Sequence, residues 1–61
     1  MFEELLNKKV KVIMKDGFVK YGTLIKCENN FIKLLFKNNA FENINLDDVK
    51  VVKLDENNYR Y

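Results

Sequence analysis

Residues 9–25 read KVKVIMKDGFVKYGTLI, and this stretch decides the fold. Two runs rich in β-branched and aromatic residues flank the pair Asp16-Gly17. Such a pair is a strong hairpin signal, because a tight primed turn needs positive φ and glycine reaches it without steric cost. Gly22 lies inside the second run, where a glycine marks a bend or a close approach of another backbone. A hairpin with a bent second strand is typical of a small β-barrel.

Outward from this hairpin, apolar and polar residues alternate in short runs separated by turn residues. The pattern predicts five strands, at 9–15, 18–27, 31–37, 41–46 and 49–54. Asp47-Asp48 predicts a short break of one 3₁₀ turn before the last strand. An antiparallel sheet of this size closes or nearly closes on itself to hide its edges. If closure is incomplete, we expect the fourth and fifth strands to be the exposed edges.

The two ends of the chain differ from the middle. Residues 2–7 predict a short N-terminal helix whose apolar face must lie on the barrel, because one or two turns cannot stand alone. That face consists of Phe2, Leu5 and Leu6. We therefore expect an all-β domain at 1–54, a small five-stranded bent antiparallel barrel with a short N-terminal helix. A polar C-terminal tail follows at 55–61.

Chain length limits the core. Sixty-one residues make one domain, and a domain this small usually needs a disulfide, a metal or a partner subunit. There is one cysteine, Cys27, and no histidine, so an intrachain disulfide is excluded and a zinc site is not expected. By elimination, we expect association with other copies of the chain to supply the missing core.

Composition narrows the function classes. A lone thiol fits a reducing compartment, no apolar run is long enough to span a membrane, and the start lacks a basic signal-peptide region. We therefore expect a cytoplasmic protein without a membrane partner. Without histidine or a phosphate-cradling glycine loop, we expect neither catalysis nor a cofactor. The formal net charge of +2 permits nucleic-acid binding without arguing for it.

A resemblance emerges from several of these residues together. Residues 10–17, then 22–24, an acidic Glu28 and an apolar Phe31 look like the first Sm motif. Over residues 2–54 the chain resembles the Sm-like (LSm) family, which includes the bacterial RNA chaperone Hfq and archaeal Sm-like proteins. The resemblance implies an N-terminal helix on a five-stranded bent barrel. It also implies a homo-oligomeric ring, in which the fourth strand of one subunit pairs with the fifth of the next.

The resemblance further implies a ligand, single-stranded RNA that is U-rich or A-rich. In such a ring, RNA lies near the pore on the turns that correspond here to 28–31 and 45–48. Amide groups there would contact base edges, an aromatic ring would stack on a base, and lysines would hold phosphates. The expected RNA-binding residues are Asn29, Asn30, Phe31, Asn45, Lys15 and Lys33.

The chain departs from the family where RNA is bound. Ile32 stands where Sm proteins have a base-binding asparagine, and Asn45-Leu46 replaces the usual Arg-Gly of the second motif. Asp47 and Asp48 would place two carboxylates beside a pore that should attract phosphates. These departures keep an alternative open, namely an SH3-like β-barrel that binds protein and does not bind RNA.

The same residues also have simpler explanations. Asn29 and Asn30 are typical turn residues, and Phe31 fits a core aromatic. The lysines that alternate along the first strand fit a solvated face. A hairpin turn without chemistry is likewise sufficient to explain Asp16-Gly17.

Overall fold

The computed structural model describes residues 2–55, which form an all-β fold. One antiparallel sheet contains five strands in the order β4-β3-β2-β1-β5. The strands are β1 Lys9–Met14, β2 Val19–Cys27, β3 Phe31–Leu35, β4 Phe41–Asn45 and β5 Val49–Leu54. Two single 3₁₀ turns lie among them, η1 at Glu3–Leu5 and η2 at Leu46–Asp48. The prediction of five antiparallel strands with a 3₁₀ turn before the last is confirmed.

The predicted N-terminal helix at 2–7 is wrong. Only η1 forms there, no side chain caps its start, and Leu6 is already extended with a ψ of 137°. A nucleus this short gains too few hydrogen bonds to propagate, and Asn7 then takes a φ of 67° that turns the chain towards β1. Within the described part of the chain, no helix is long and apolar enough to cross a membrane. The predicted apolar face still packs against the core, through Phe2, Leu5 and Leu6.

The loop between β1 and β2 is a hairpin, as predicted, but its turn type differs. The Gly17 N–H donates to the Met14 carbonyl at 3.0 Å, and the Met14 N–H donates to the Phe18 carbonyl at 2.8 Å. Gly17 has a φ of 97°, whereas Lys15 and Asp16 keep negative φ. A two-residue type I′ turn is therefore excluded, and the loop is the three-residue form that ends in a left-handed residue.

The loop between β3 and β4 repeats this geometry with different residues. The Asn39 N–H donates to the Phe36 carbonyl at 3.0 Å, and the Phe36 N–H donates to the Ala40 carbonyl at 2.8 Å. Asn39 takes the left-handed position with a φ of 67°. The Asn38 side chain accepts from the Ala40 N–H at 3.0 Å, as Asp16 does from the Phe18 N–H at 3.1 Å in the first loop. Strand β3 ends at Leu35, one residue before this closing pair, and is therefore shorter than predicted.

Strand β2 is shared by two halves of the sheet. Its first half pairs with β1, its second half pairs with β3, and Thr23 takes part in both ladders. A register shift between Leu24 and Lys26 confirms the predicted irregularity in this strand. At Gly22 a Cβ would stand 2.8 Å from the Leu35 carbonyl oxygen. The close backbone approach that the sequence predicts at this glycine is therefore confirmed.

The core lies on one face of this sheet. Its buried side chains are Val10, Val12, Leu24, Ile32, Leu34 and Ile44. Over the same face, the Lys20 ammonium contacts both Glu42 carboxylate oxygens, at 3.1 and 3.3 Å. These two residues belong to β2 and β4, which are not neighbours in the sheet. The sheet therefore curves over its core.

Strands β4 and β5 are the two edges of the sheet, as expected for incomplete closure. No ladder joins them among residues 2–55. The Leu46 N–H donates to the Asn30 carbonyl at 2.9 Å, and antiparallel hydrogen bonds alternate along a strand. The backbone groups of every second β4 residue therefore point away from β3. These residues are Phe41, Asn43 and Asn45.

The free edge of β5 follows from the same alternation. The Asp55 N–H donates to the Lys9 carbonyl at 3.0 Å, so the backbone groups of Val52 and Leu54 point away from β1. Asp55 thus continues the ladder between β1 and β5. The rest of the predicted polar tail at 55–61 lies outside the described residues.

Candidate functional site

Loops from three parts of the chain converge on η2. The Asn30 carbonyl accepts from the Leu46 N–H at the start of η2, at 2.9 Å. At its end, the Asp48 carbonyl accepts from the Lys15 N–H, also at 2.9 Å. The two turns that the sequence predicts as RNA-binding therefore lie side by side, and the β1–β2 loop borders them.

Local sequence chemistry shapes this junction. Asn45 ends β4 opposite Phe31, and its side-chain oxygen accepts from the Asp47 N–H at 2.9 Å. This Asn-type turn satisfies a backbone donor that would otherwise lack a partner, and so starts the 3₁₀ turn. Asn45 is exposed. With its oxygen engaged, its amide NH₂ is the group that remains for a ligand.

The β2–β3 turn presents two further amides. The Glu28 N–H donates to the Phe31 carbonyl at 2.9 Å and closes the turn. Asn29 and Asn30, at its tip, are exposed, whereas Phe31 is half-buried. Exposed amides beside a partly accessible ring are groups that can contact base edges and stack on a base.

The two predicted phosphate-binding lysines lie at different places. Lys15 is exposed and adjoins η2 through its backbone. Lys33 lies on β3 opposite Asn43, on the same face as Phe31, and its ammonium stands 4.9 Å from the centroid of the Phe41 ring. That cation–π contact keeps the Lys33 ammonium beside Phe41, on the side of Lys33 that faces away from η2. Lys33 therefore flanks the site, whereas the other predicted residues border η2.

One feature of the site opposes phosphate binding, and another removes a contact that an RNA base would make in Sm proteins. Asp47 and Asp48 are exposed on η2, so their carboxylates repel a nearby phosphate. Ile32 is fully buried, so no ligand reaches the position where Sm proteins carry a base-binding asparagine. Among residues 2–55, no group of three or more acidic, cysteine or histidine side chains is placed to hold a metal ion.

Sequence reasoning missed a pair of lysines on β1 and β5 and a cavity that both of them line. Lys11 and Lys53 face each other across β1 and β5, and both line a cavity of about 520 Å³ next to η1. No local sequence signal indicates this pair, because it depends on a register between the first and last strands.

Comparisons of the chain with models of protein families, with curated proteins and with solved structures returned no significant match. Membership of the Sm-like family therefore stays a prediction.

Proposed function

We propose that this chain is a small Sm-like barrel that binds single-stranded RNA without catalysis and works as a homo-oligomeric ring. The observation that supports RNA binding most is the convergence on η2. Asn29, Asn30 and Asn45 are exposed on the turns that meet there, and the half-buried Phe31 follows Asn30 in the chain and is the cross-strand partner of Asn45. Amides read base edges and an aromatic ring stacks on bases, which is how proteins recognise single strands.

Ring formation is supported by the two free edges of the sheet. On β4, three residues direct backbone groups outward, and on β5 at least Val52 and Leu54 do so. Pairing β4 of one copy with β5 of the next satisfies these groups and removes both edges. It also covers apolar surface, since 42% of Leu54 and 37% of Val51 are exposed. A chain this small benefits from that additional burial.

RNA binding is tested by titrating labelled oligo-U and oligo-A with the protein at two salt concentrations and following fluorescence anisotropy. We expect binding tighter than about 10⁻⁴ M at low salt, the weak end of typical non-specific affinities, and weaker binding at higher salt. A dissociation constant above that limit for both oligonucleotides contradicts the proposal.

The position of the RNA is tested with a matched pair of lysines. Lys15 and Lys37 occupy the same position in the two three-residue loops, but only Lys15 adjoins η2. We expect Lys15→Gln to weaken RNA binding and to lower the slope of log affinity against log salt by about 0.7, as for one lost phosphate contact. Lys37→Gln should leave both quantities unchanged. Equal effects of the two substitutions would place the RNA elsewhere.

The carboxylates on η2 allow a test in which a substitution should strengthen RNA binding instead of weakening it. If phosphates pass close to η2, replacing Asp47 by asparagine removes a repulsion and tightens RNA binding, most strongly at low salt. Unchanged affinity in Asp47→Asn at low salt argues against RNA at this junction.

The second candidate function is protein binding by an SH3-like barrel. It is favoured by large exposed apolar side chains, since Phe18, Tyr21 and Phe41 are 70%, 49% and 58% exposed. Edge strand β5 also carries exposed lysines and a register shift in its pairing with β1, and both features discourage strand pairing between copies. Native mass measurement separates the candidates. A stable monomer at micromolar concentration contradicts the ring and favours the interaction module.

A further inference from the structure

The outer face of the sheet, opposite the core, carries charges of one sign. The five strands contain a single acidic residue, Glu42, and it lies over the core, where Lys20 pairs with it. Side chains alternate between the two faces along a strand. The charged residues that the strands direct outward are therefore lysines, namely Lys9, Lys11, Lys26, Lys33 and Lys53.

On this face, β1 and β2 present a lysine beside apolar side chains. Lys11 is the direct partner of Tyr21, and Ile13 is the direct partner of Val19. We call these four residues the outer patch. Tyr21 is 49% exposed and Val19 is 41% exposed. Because β1 and β2 are each paired on both sides, strand pairing between copies at β4 and β5 leaves the outer patch open.

The ammonium of the outer patch has no counter-charge within the described chain. Among residues 2–55, Lys11 forms no ion pair, and Lys53 of β5 is its direct cross-strand partner. Like charges at directly opposite positions destabilise a sheet. A carboxylate bound from outside would reduce this repulsion.

The chemistry of the outer patch selects an acidic protein segment. A carboxylate suits Lys11 and can also accept from the Tyr21 hydroxyl, whereas Ile13 and Val19 suit aliphatic side chains. RNA fits less well, because it carries a phosphate at every nucleotide and its bases stack on flat rings. The Ile13–Val19 pair offers neither a charge nor a ring. A second copy of the chain would bring the same lysines and be repelled.

We propose that the outer patch binds an acidic segment of a partner protein. A carboxylate of this segment contacts Lys11, and an adjacent apolar side chain packs on Ile13 and Val19. This interaction uses the face of the sheet and not the turns around η2, so it does not depend on the proposed RNA binding.

The test is an NMR titration of the full ¹⁵N-labelled chain with a peptide of repeating Glu-Glu-Leu units. We expect saturable shifts of the backbone amides of Lys11, Ile13 and Tyr21. Peptides of Gln-Gln-Leu units and of Glu-Glu-Ser units lack the charge and the apolar group, respectively, and should each bind roughly tenfold more weakly. Equal affinities for the three peptides, or no binding of any, overturn the proposal.

A parallel titration with oligo-U separates this proposal from the proposed function. Shifts at 28–31 with oligo-U but no binding of the Glu-Glu-Leu peptide overturn the docking proposal alone. Peptide shifts at the outer patch without oligo-U binding anywhere retain it and contradict the RNA-binding function. Oligo-U shifts confined to the outer patch would assign this face to RNA, and shifts there on dilution without any ligand would assign it to a second copy. Either result overturns the proposal.

Substitutions separate binding from folding. Lys11→Gln removes the repulsion with Lys53, so we expect a higher urea midpoint together with roughly tenfold weaker binding of the Glu-Glu-Leu peptide. Lys37→Gln makes the same charge change at an exposed position of the β3–β4 loop and should bind the peptide as the unsubstituted chain does. Val19→Thr keeps a β-branched side chain and should weaken binding about threefold. Unchanged peptide affinity in Lys11→Gln overturns the proposal.

Discussion

Gly17 has a φ of 97° and nothing within 4 Å of the place where a Cβ would stand, whereas Gly22 would place a Cβ 2.8 Å from the Leu35 carbonyl oxygen. The first glycine is required for its backbone conformation and the second for its missing side chain. One residue type therefore answers two different physical demands within six positions. Substitutions separate these demands.

At Gly17, alanine should lower the free energy of unfolding by about 1–2 kcal/mol, the cost of a left-handed L-residue. Asparagine should recover part of this loss, because Asn39 already occupies the equivalent position of the second loop. The reverse exchange, Asn39→Gly, should be neutral or stabilise by roughly 0.5 kcal/mol. Urea unfolding of the three variants measures these differences. Equal stability of the alanine and asparagine variants at Gly17 would contradict the backbone explanation.

At Gly22, alanine should cost about 1–3 kcal/mol, as in other overpacked sites. The nearest obstacle is a backbone oxygen, while the Phe36 ring lies farther from the added carbon, at 3.3 Å. Trimming the ring in Phe36→Leu should therefore not relieve the cost. A double-mutant cycle by urea unfolding checks this. A large favourable coupling between the two substitutions would show that the ring, and not the Leu35 backbone, is the obstacle.

Among the elements, the strands were predictable and the N-terminal helix was not. Alternation of buried and solvated residues, as at Val10 and Val12, repeats over enough positions to specify a strand. Phe2 and Leu5 also have helical spacing, but so few residues cannot outweigh the cost of nucleation. The Asp16-Gly17 pair fits both a two-residue and a three-residue loop. The local sequence signal therefore predicted the hairpin correctly but did not determine its turn type.

The edge of β4 allows a selective test of ring formation. The Asn43 N–H points away from β3, whereas that of Ile44 lies on the paired side. Proline lacks the N–H and is tolerated on edge strands. Asn43→Pro should therefore keep the fold and reduce the native mass to that of a monomer, while Ile44→Pro should unfold the chain.

The control for this test is Asn43→Ala, which keeps the N–H and should keep the native mass of the unsubstituted chain. Circular dichroism verifies the fold of each variant. An Asn43→Pro variant that assembles like the alanine variant would show that β4 does not pair between copies.

For the whole molecule, the limiting quantity is the size of the core, since only six side chains of the described residues are buried. If subunit contacts complete the core, Tm must depend on protein concentration. For a domain this small we expect a rise of roughly 5 °C for each tenfold increase in concentration. Differential scanning fluorimetry over about a hundredfold range measures it. A constant Tm with monomeric mass favours the interaction module.

The candidate site was predictable only in part at this scale. Asn29 and Asn30 can be recognised as turn residues from their residue type alone. Their place beside η2 was expected from the family resemblance. The pairing of Lys11 with Lys53 has no such signal, because it depends on how the last strand aligns with the first. A short stretch of sequence carries little information about contacts between residues that are far apart in the chain.

That alignment also bears on how the chain folds. Hairpins β1–β2 and β3–β4 each close through a three-residue loop, so their pairing forms between residues that are near in sequence. Val12 and Val52, in contrast, meet across forty residues, and closing that distance costs more chain entropy before any contact is gained. Docking of β5 should therefore come late on the folding pathway and be the first step reversed on unfolding. The strand that would pair with a neighbouring subunit is thus also the one that detaches from the sheet most readily. The chain is therefore prone to domain swapping, in which two copies exchange this strand.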